Sequence, residues 1–158
     1  MIRLSRRSVI VSGAAALGCA AIGAPVLAAD PLSITVVKDP DCGCCAAWVD
    51  VLDADGFATD VKLAGYDQLQ TIKGKLGITP DLASCHTALI SGYVIEGHVP
   101  PADIRRLLAE APEAIGLTVP GMPYGSPGMG PENEREAYDV LLVNRDGSTQ
   151  VFARYDAA

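Results

Sequence analysis

Three of the chain's five cysteines fall within four consecutive residues, Cys42-Gly43-Cys44-Cys45, and the run in front of them, Ile34-Thr35-Val36-Val37, is rich in β-branched residues. Branching at Cβ stiffens χ1 and favours a strand. Behind the motif, Cys45, Trp48, Val49 and Leu52 recur at helical spacing, Asp41 offers an N-terminal cap, and Gly56 stands where a helix often stops. A strand running through Lys38-Asp39-Pro40-Asp41 into a helix whose first turn carries thiols is compatible with few folds.

The rest of the chain narrows them further. Phe57 to Leu63 suits a second strand, and Leu69, Ile72 and Leu76 mark a second amphipathic helix closed by Gly77. Thr87 to Ile90 and Tyr93 to Ile95 read as strands around Ser91-Gly92. Pro100 and Pro101 open a helix with Ile104, Leu107, Leu108 and Ala111 as its inner face, and Pro112 ends it. This βαβαββα order, with a cysteine motif at a helix start, predicts an α/β thioredoxin-like domain. Two additions follow it. Pro120 to Pro131 repeats the tripeptide Pro-Gly-Met and is excluded from helix or sheet, while Tyr138–Val143 and Gln150–Tyr155 flank Asp146-Gly147 as a terminal β-hairpin. Tyr66, Tyr93, Tyr124 and Trp48 are expected to pack rather than react.

The 158 residues, with 49% hydrophobic content, suffice for one compact core. Residues 1–29 are not expected to join it. Ser5-Arg6-Arg7-Ser8-Val9-Ile10 resembles a twin-arginine export signal, a weakly apolar run extends from Val9 to Leu27, and Val26-Leu27-Ala28 precedes a plausible cleavage point. The alternatives are an uncleaved anchor, for which the run is barely long enough, and a lipid on Cys19, whose context is poor. The expected organisation is therefore a signal over 1–29 and a single periplasmic domain over 30–158. Cleavage removes three arginines and no acid, taking the formal charge from −7 to −10. That sign disfavours nucleic acid and, once the signal is gone, anionic membrane surfaces as partners.

Four cysteines remain, Cys42, Cys44, Cys45 and Cys85. In an oxidising compartment, paired disulfides are the plain alternative to any chemistry. Adjacent side chains on a helix diverge by about 100°, so Cys44 and Cys45 do not easily close on one small ion together. Thiols fanned around a helix start suit bridging several soft ions better than completing one tetrahedral zinc site. The pair Cys42 and Cys45 also forms a C-x-x-C spacing, which keeps a redox reading open; Asp39 and Asp41 place negative charge beside it and oppose thiolates unless a cation is present. The other soft donors are His86, His98, Met122 and Met129. His86 is expected to point away from Cys85 along an extended segment, and thioethers favour Cu(I) over zinc.

Taken together, Cys42-Gly43-Cys44-Cys45 with Trp48, Ser84-Cys85-His86-Thr87, Gly92 to Pro100 ending in Gly97-His98-Val99-Pro100, and Val119 to Pro123 with Gly125 to Met129 resemble the CopG-type copper-resistance proteins, a periplasmic metal-binding family formerly described as a domain of unknown function. The resemblance covers essentially all of the chain after the signal. It implies a thioredoxin-like fold, a periplasmic setting, and a thiolate-bridged cluster of several copper ions drawing on the cysteines with histidine and methionine support. It implies no established enzymatic activity, and Ser84-Cys85-His86 stands where ordinary thioredoxins carry a cis-proline. The leading expectation is Cu(I) binding in copper resistance or handling through Cys42, Cys44, Cys45, Cys85, His86, His98, Met122 and Met129, with other periplasmic copper-handling proteins as partners. A thiol-disulfide or copper-dependent oxidoreductase using Cys42 and Cys45 is the rival.

Overall fold

The computed structural model describes residues 32–158, so the expected export signal, its cleavage point and Cys19 lie outside the described residues. In chain order the elements are β1 (Ser33–Lys38), α1 (Gly43–Ala54), β2 (Ala58–Leu63), α2 (Tyr66–Lys75), β3 (His86–Ile90), β4 (Tyr93–Glu96), α3 (Pro101–Glu110), β5 (Ala114–Thr118), a short 3₁₀ turn (Glu132–Glu134), β6 (Tyr138–Asn144) and β7 (Thr149–Tyr155). The strands form one mixed sheet in the order β2-β1-β3-β4-β5-β6-β7. β1 runs parallel to β2 and β4 parallel to β5; the remaining neighbours are antiparallel. None of the helices among the described residues is long and apolar enough to cross a membrane.

Strand alternation divides the sheet into two apolar faces. On one, Trp48 and Leu52 of α1 and Ile104 and Leu107 of α3 pack against Ile34, Val36, Ile95, Leu117, Val140 and Leu142. The indole of Trp48 satisfies its N–H by donating to the Val99 carbonyl at 3.0 Å. On the other, Ile78 and Leu82 cover Val94 and Val143. Each fully buried aliphatic side chain stabilises by roughly 1.5–3 kcal/mol, so the larger face dominates the energetics.

Four features differ from the sequence expectation. β5 was not anticipated, because Gly116 interrupts its apolar run; yet a Cβ there would collide with the Val94 backbone, so the glycine is what allows β5 to lie against β4. The N-cap of α1 is Cys42, not Asp41, and no side chain caps the helix. The backbone N–H of Asp41 instead turns back to the Asp39 carboxylate at 2.9 Å. Ala111 does not line the inner face of α3: it is the exposed C-cap, in the left-handed region at φ 45°. Finally, Tyr66 is 70% exposed and Tyr124 42% exposed, so neither is a core residue.

Beneath α2, Lys73 is buried and pairs with Glu96 at the end of β4, Nζ to Oε1 at 2.5 Å. Just past Glu96 the chain turns through Gly97 at φ +73°, where a Cβ would stand 2.5 Å from Ser84 Oγ and 2.7 Å from the Val119 carbonyl oxygen. Both the backbone conformation and the space exclude a larger residue. Gly97→Ala is therefore expected to lower the stability of the reduced, metal-free protein by about 2–4 kcal/mol. Denaturant unfolding checks this, and an unchanged midpoint would contradict the assignment.

Candidate metal centre

The site begins where β1 ends. Lys38 is buried, and its ammonium donates to the Asp39 carbonyl at 2.8 Å and lies 3.5 Å from that of Pro40, fixing the loop that enters α1. The backbone N–H of Cys42 bonds the Asp39 carbonyl at 3.2 Å, and its own carbonyl accepts the first helical bond, from Ala46 at 3.3 Å. Cys44 and Cys45 thus sit in the first turn of α1, where unpaired backbone N–H groups favour negative charge.

Cys42 and Cys45 are joined as a disulfide, while Cys44 and Cys85 are free. Cys44 Sγ lies 3.5 Å from Cys42 Sγ and 3.7 Å from Cys85 Sγ. All four sulfurs fall within 4.8 Å of one another. Cys85 then links to a second group: its sulfur is 3.1 Å from His98 Nε2 and 3.4 Å from His86 Nδ1, and one donor atom from each of these three residues falls within 4.8 Å of the others. The six residues make two triangulated sets of soft donors sharing one sulfur.

The histidines differ in how they are held. His98 Nδ1 lies 2.7 Å from the Pro127 carbonyl oxygen, which can only accept, so Nδ1 carries the proton and the Nε2 lone pair faces Cys85. Burial lowers its pKa, and the Pro127 bond partly offsets that. His86 is fully buried, with its ring 4.3 Å from that of Trp48 and 5.0 Å from that of His98. Burial drives its pKa well below the ordinary histidine range, reinforced by His98 and Lys73. Among the described residues, its Nε2 is the one buried side-chain nitrogen or oxygen without a hydrogen-bond partner. Both rings are thus neutral donors of the kind metals use. The Cys85 thiol is pushed up to about 12, by burial first and by the adjacent Cys44 second. A cation at the site would reverse that preference, because it neutralises the thiolate where water cannot.

The expectation that His86 points away from Cys85 is corrected. Alternation governs residues inside a strand, but Cys85 lies in a bend and β3 begins only at His86, so the two side chains converge. Met122 is 54% exposed and lines, with Cys42, Cys85, Asp39, Asp41 and Tyr66, a cleft of about 590 Å³. Met129 is half-buried and is not among the residues lining that cleft. Its loop nevertheless matters, since Pro127 holds His98 and Gly128 lies so close to α1 that a Cβ would stand 2.6 Å from the Trp48 backbone nitrogen.

Sequence reasoning missed the support around Cys85. Glu96 Oε1 accepts from the Ser84 backbone at 2.6 Å as well as from Lys73, and Oε2 accepts from Thr87 at 2.6 Å. Lys73 also donates to Thr87 Oγ1 at 2.8 Å. The available signal was a lysine four residues after Leu69 on a helix's inner face, and a glutamate closing the otherwise apolar Tyr93-Val94-Ile95 run.

Known proteins agree with this architecture. A family model described as a protein of unknown function, DUF411, matches residues 82–129, which carry Cys85, His86, His98, Met122 and Met129. No curated protein matches the chain significantly. A solved structure of a copper resistance protein CopG, in a first form, is 41% identical, covers 80% of this chain and 99% of its own, and superposes with a TM-score of 0.75. A second form gives 42% identity, 79% and 98% coverage, and a TM-score of 0.73. With that identity sustained over nearly the whole length of both forms, the chain belongs to the CopG family of copper resistance proteins.

Proposed function

We propose that the protein is exported to the periplasm through its twin-arginine-type signal and there holds several Cu(I) ions in a thiolate-bridged cluster, in copper resistance or handling. The observation that carries this reading is the convergence of four sulfurs with two neutral imidazoles on the shared Cys85. Every donor in the set is soft or borderline, which suits Cu(I), and the six donor residues exceed the four that one tetrahedral zinc ion takes. Cys42, Cys44, Cys45 and Cys85 supply the bridging sulfurs, His98 and His86 close the inner side, Met122 stands at the mouth, and Met129, on the same Gly/Pro loop, is the further thioether donor. The fold is read as thioredoxin-like, which the β2-β1-β3-β4 order and the parallel β1–β2 pair support.

With Cys42 and Cys45 disulfide-linked, two of the four sulfurs are withheld. A dithiol reductant supplies two electrons and two protons, giving two thiols on the protein and a disulfide on the reductant. Loading then displaces the protons of the thiols that become ligands. Reduced protein lacking residues 1–29 is expected to retain about two or more Cu(I) per chain against a moderate chelator, and the disulfide form markedly less. Cys44→Ser and Cys85→Ser should each remove about half of that capacity or more. Anaerobic titration with metal-to-protein stoichiometry measures both, and a reduced chain that holds less than one equivalent rules the reading out.

The disulfide itself favours a second reading, dithiol exchange at the start of α1. A thiolate from a substrate would attack one sulfur of the Cys42–Cys45 bond, and the other would leave, conserving electrons throughout. On this reading metal-free protein should catalyse insulin reduction by a small dithiol at rates about tenfold or more above background, and Cys45→Ser should abolish it. Turnover indistinguishable from background dismisses the exchanger.

A further inference from the structure

The polar cluster beneath α2 has no part in the donor set, yet its hydrogen bonds converge on the turn that carries Cys85. We propose that Glu96, held by Lys73, is a positioning residue that clamps Ser84 and Thr87 on either side of Cys85-His86 and so aims that pair at the helix-start sulfurs. The inference rests on the copper-binding reading for its purpose, though not for its geometry.

Burial alone gives no reason for these residues. The side chains of Lys73 and Glu96 are 2% and 0% exposed, and a buried ion pair is often matched or bettered in stability by apolar residues of similar volume. What apolar residues cannot do is bond a particular turn. Ser84 lies before β3 and outside any strand, so its backbone N–H has no ladder partner; Glu96 Oε1 accepts it at 2.6 Å. Thr87 stands directly opposite Glu96 in the β3–β4 register and donates to Oε2 at 2.6 Å. Lys73 bridges the two by donating to both Thr87 Oγ1 and Glu96 Oε1. One carboxylate therefore fixes the chain immediately before and shortly after Cys85.

The clamp also reaches the cleft. Ser84 Oγ donates to the Gly121 carbonyl, and the Gly121 backbone N–H returns a bond to Ala83 at 3.1 Å. Met122 follows directly. Displacing Ser84 would thus move Cys85 and the residue before Met122 together. The nitrogen orphaned on His86 lies in the same segment, so its placement depends on the same restraint.

Glu96→Gln, Thr87→Val and Thr87→Ser separate this role from mere stabilisation. Thr87→Val keeps the shape and loses the hydroxyl; Thr87→Ser keeps the hydroxyl and serves as rescue. In reduced, metal-free protein with the near-ultraviolet signature of Trp48 retained, Glu96→Gln and Thr87→Val are expected to raise iodoacetamide alkylation of Cys85 about tenfold. Cys44 should change by less than about twofold, and Thr87→Ser should match the wild type. In copper-loaded protein the first two variants should lose Cu(I) to a chelator about 10–100-fold faster. If Glu96→Gln does not fold, the Thr87 pair decides. An unchanged Cys85-to-Cys44 ratio in folded variants with lowered unfolding midpoints would overturn the proposal, leaving a stabilising ion pair only. Should wild-type protein hold no copper, the functional reading fails by itself, because the thiol ratio is measured without metal.

Discussion

The antiparallel pairing of β1 with β3 sets the geometry from which the site follows. Its register places Lys38, the last residue of β1, opposite His86, the first of β3. The chain leaving β1 reaches Cys42 within four residues, and the chain arriving at β3 passes Cys85 just before His86. Two cysteine segments separated by about forty positions therefore meet at one end of the sheet. Because side chains along a strand alternate between faces, a one-residue slip would turn every side chain of β3 to the opposite face of the sheet as well as separating the sulfurs. Core packing and sulfur placement are enforced by the same register.

The energetic supports around that end are of two kinds. On one face Trp48 anchors α1, its ring against His86 and its N–H on Val99, so the first turn bearing Cys44 and Cys45 is tied to the apolar core. On the other face, Lys73 and Glu96 are both removed from water, where an ion pair contributes little net stability unless its remaining hydrogen-bonding capacity is satisfied. Here Glu96 meets that condition through Ser84 and Thr87. The carboxyl is nonetheless shifted upward by burial, against the pull of Lys73 and its hydrogen-bond donors. The cysteine turn is thus braced from one side by packing and from the other by directional polar contacts.

Much of this was legible in the sequence, for identifiable reasons. The buried face Cys45, Trp48, Val49 and Leu52 follows directly from helical periodicity, and the hairpin around Asp146-Gly147 from turn chemistry. β5 escaped because a strand interior seldom contains glycine, and the reason for Gly116 lies in the Val94 backbone, not in its own neighbours. The α1 cap escaped because Asp41 has the right chemistry but its backbone is engaged with Asp39. Around the sulfurs, alternation misplaced His86, since Cys85 lies in a bend outside β3, where the alternation of a strand does not apply. Lys73 and Glu96 were invisible for a related reason: a buried charge is legible only with its partner, and these two lie in different elements. The pairing of Cys42 with Cys45 was one open alternative among several, which spacing alone does not choose between.

Among the described residues the sheet ends in two borders with no further strand, β2 and β7, and both are unattractive to other chains. Along β2, Asp60 and Lys62 project charge and bind each other at 2.9 Å, and β2 is only six residues long. Along β7, Arg154 engages Asp139 at 3.0 Å, and a register irregularity between Val140 and Leu141 bends the pairing. A foreign strand adding to either margin would have to desolvate these charges or follow that bend, which is how natural sheets discourage edge-to-edge aggregation.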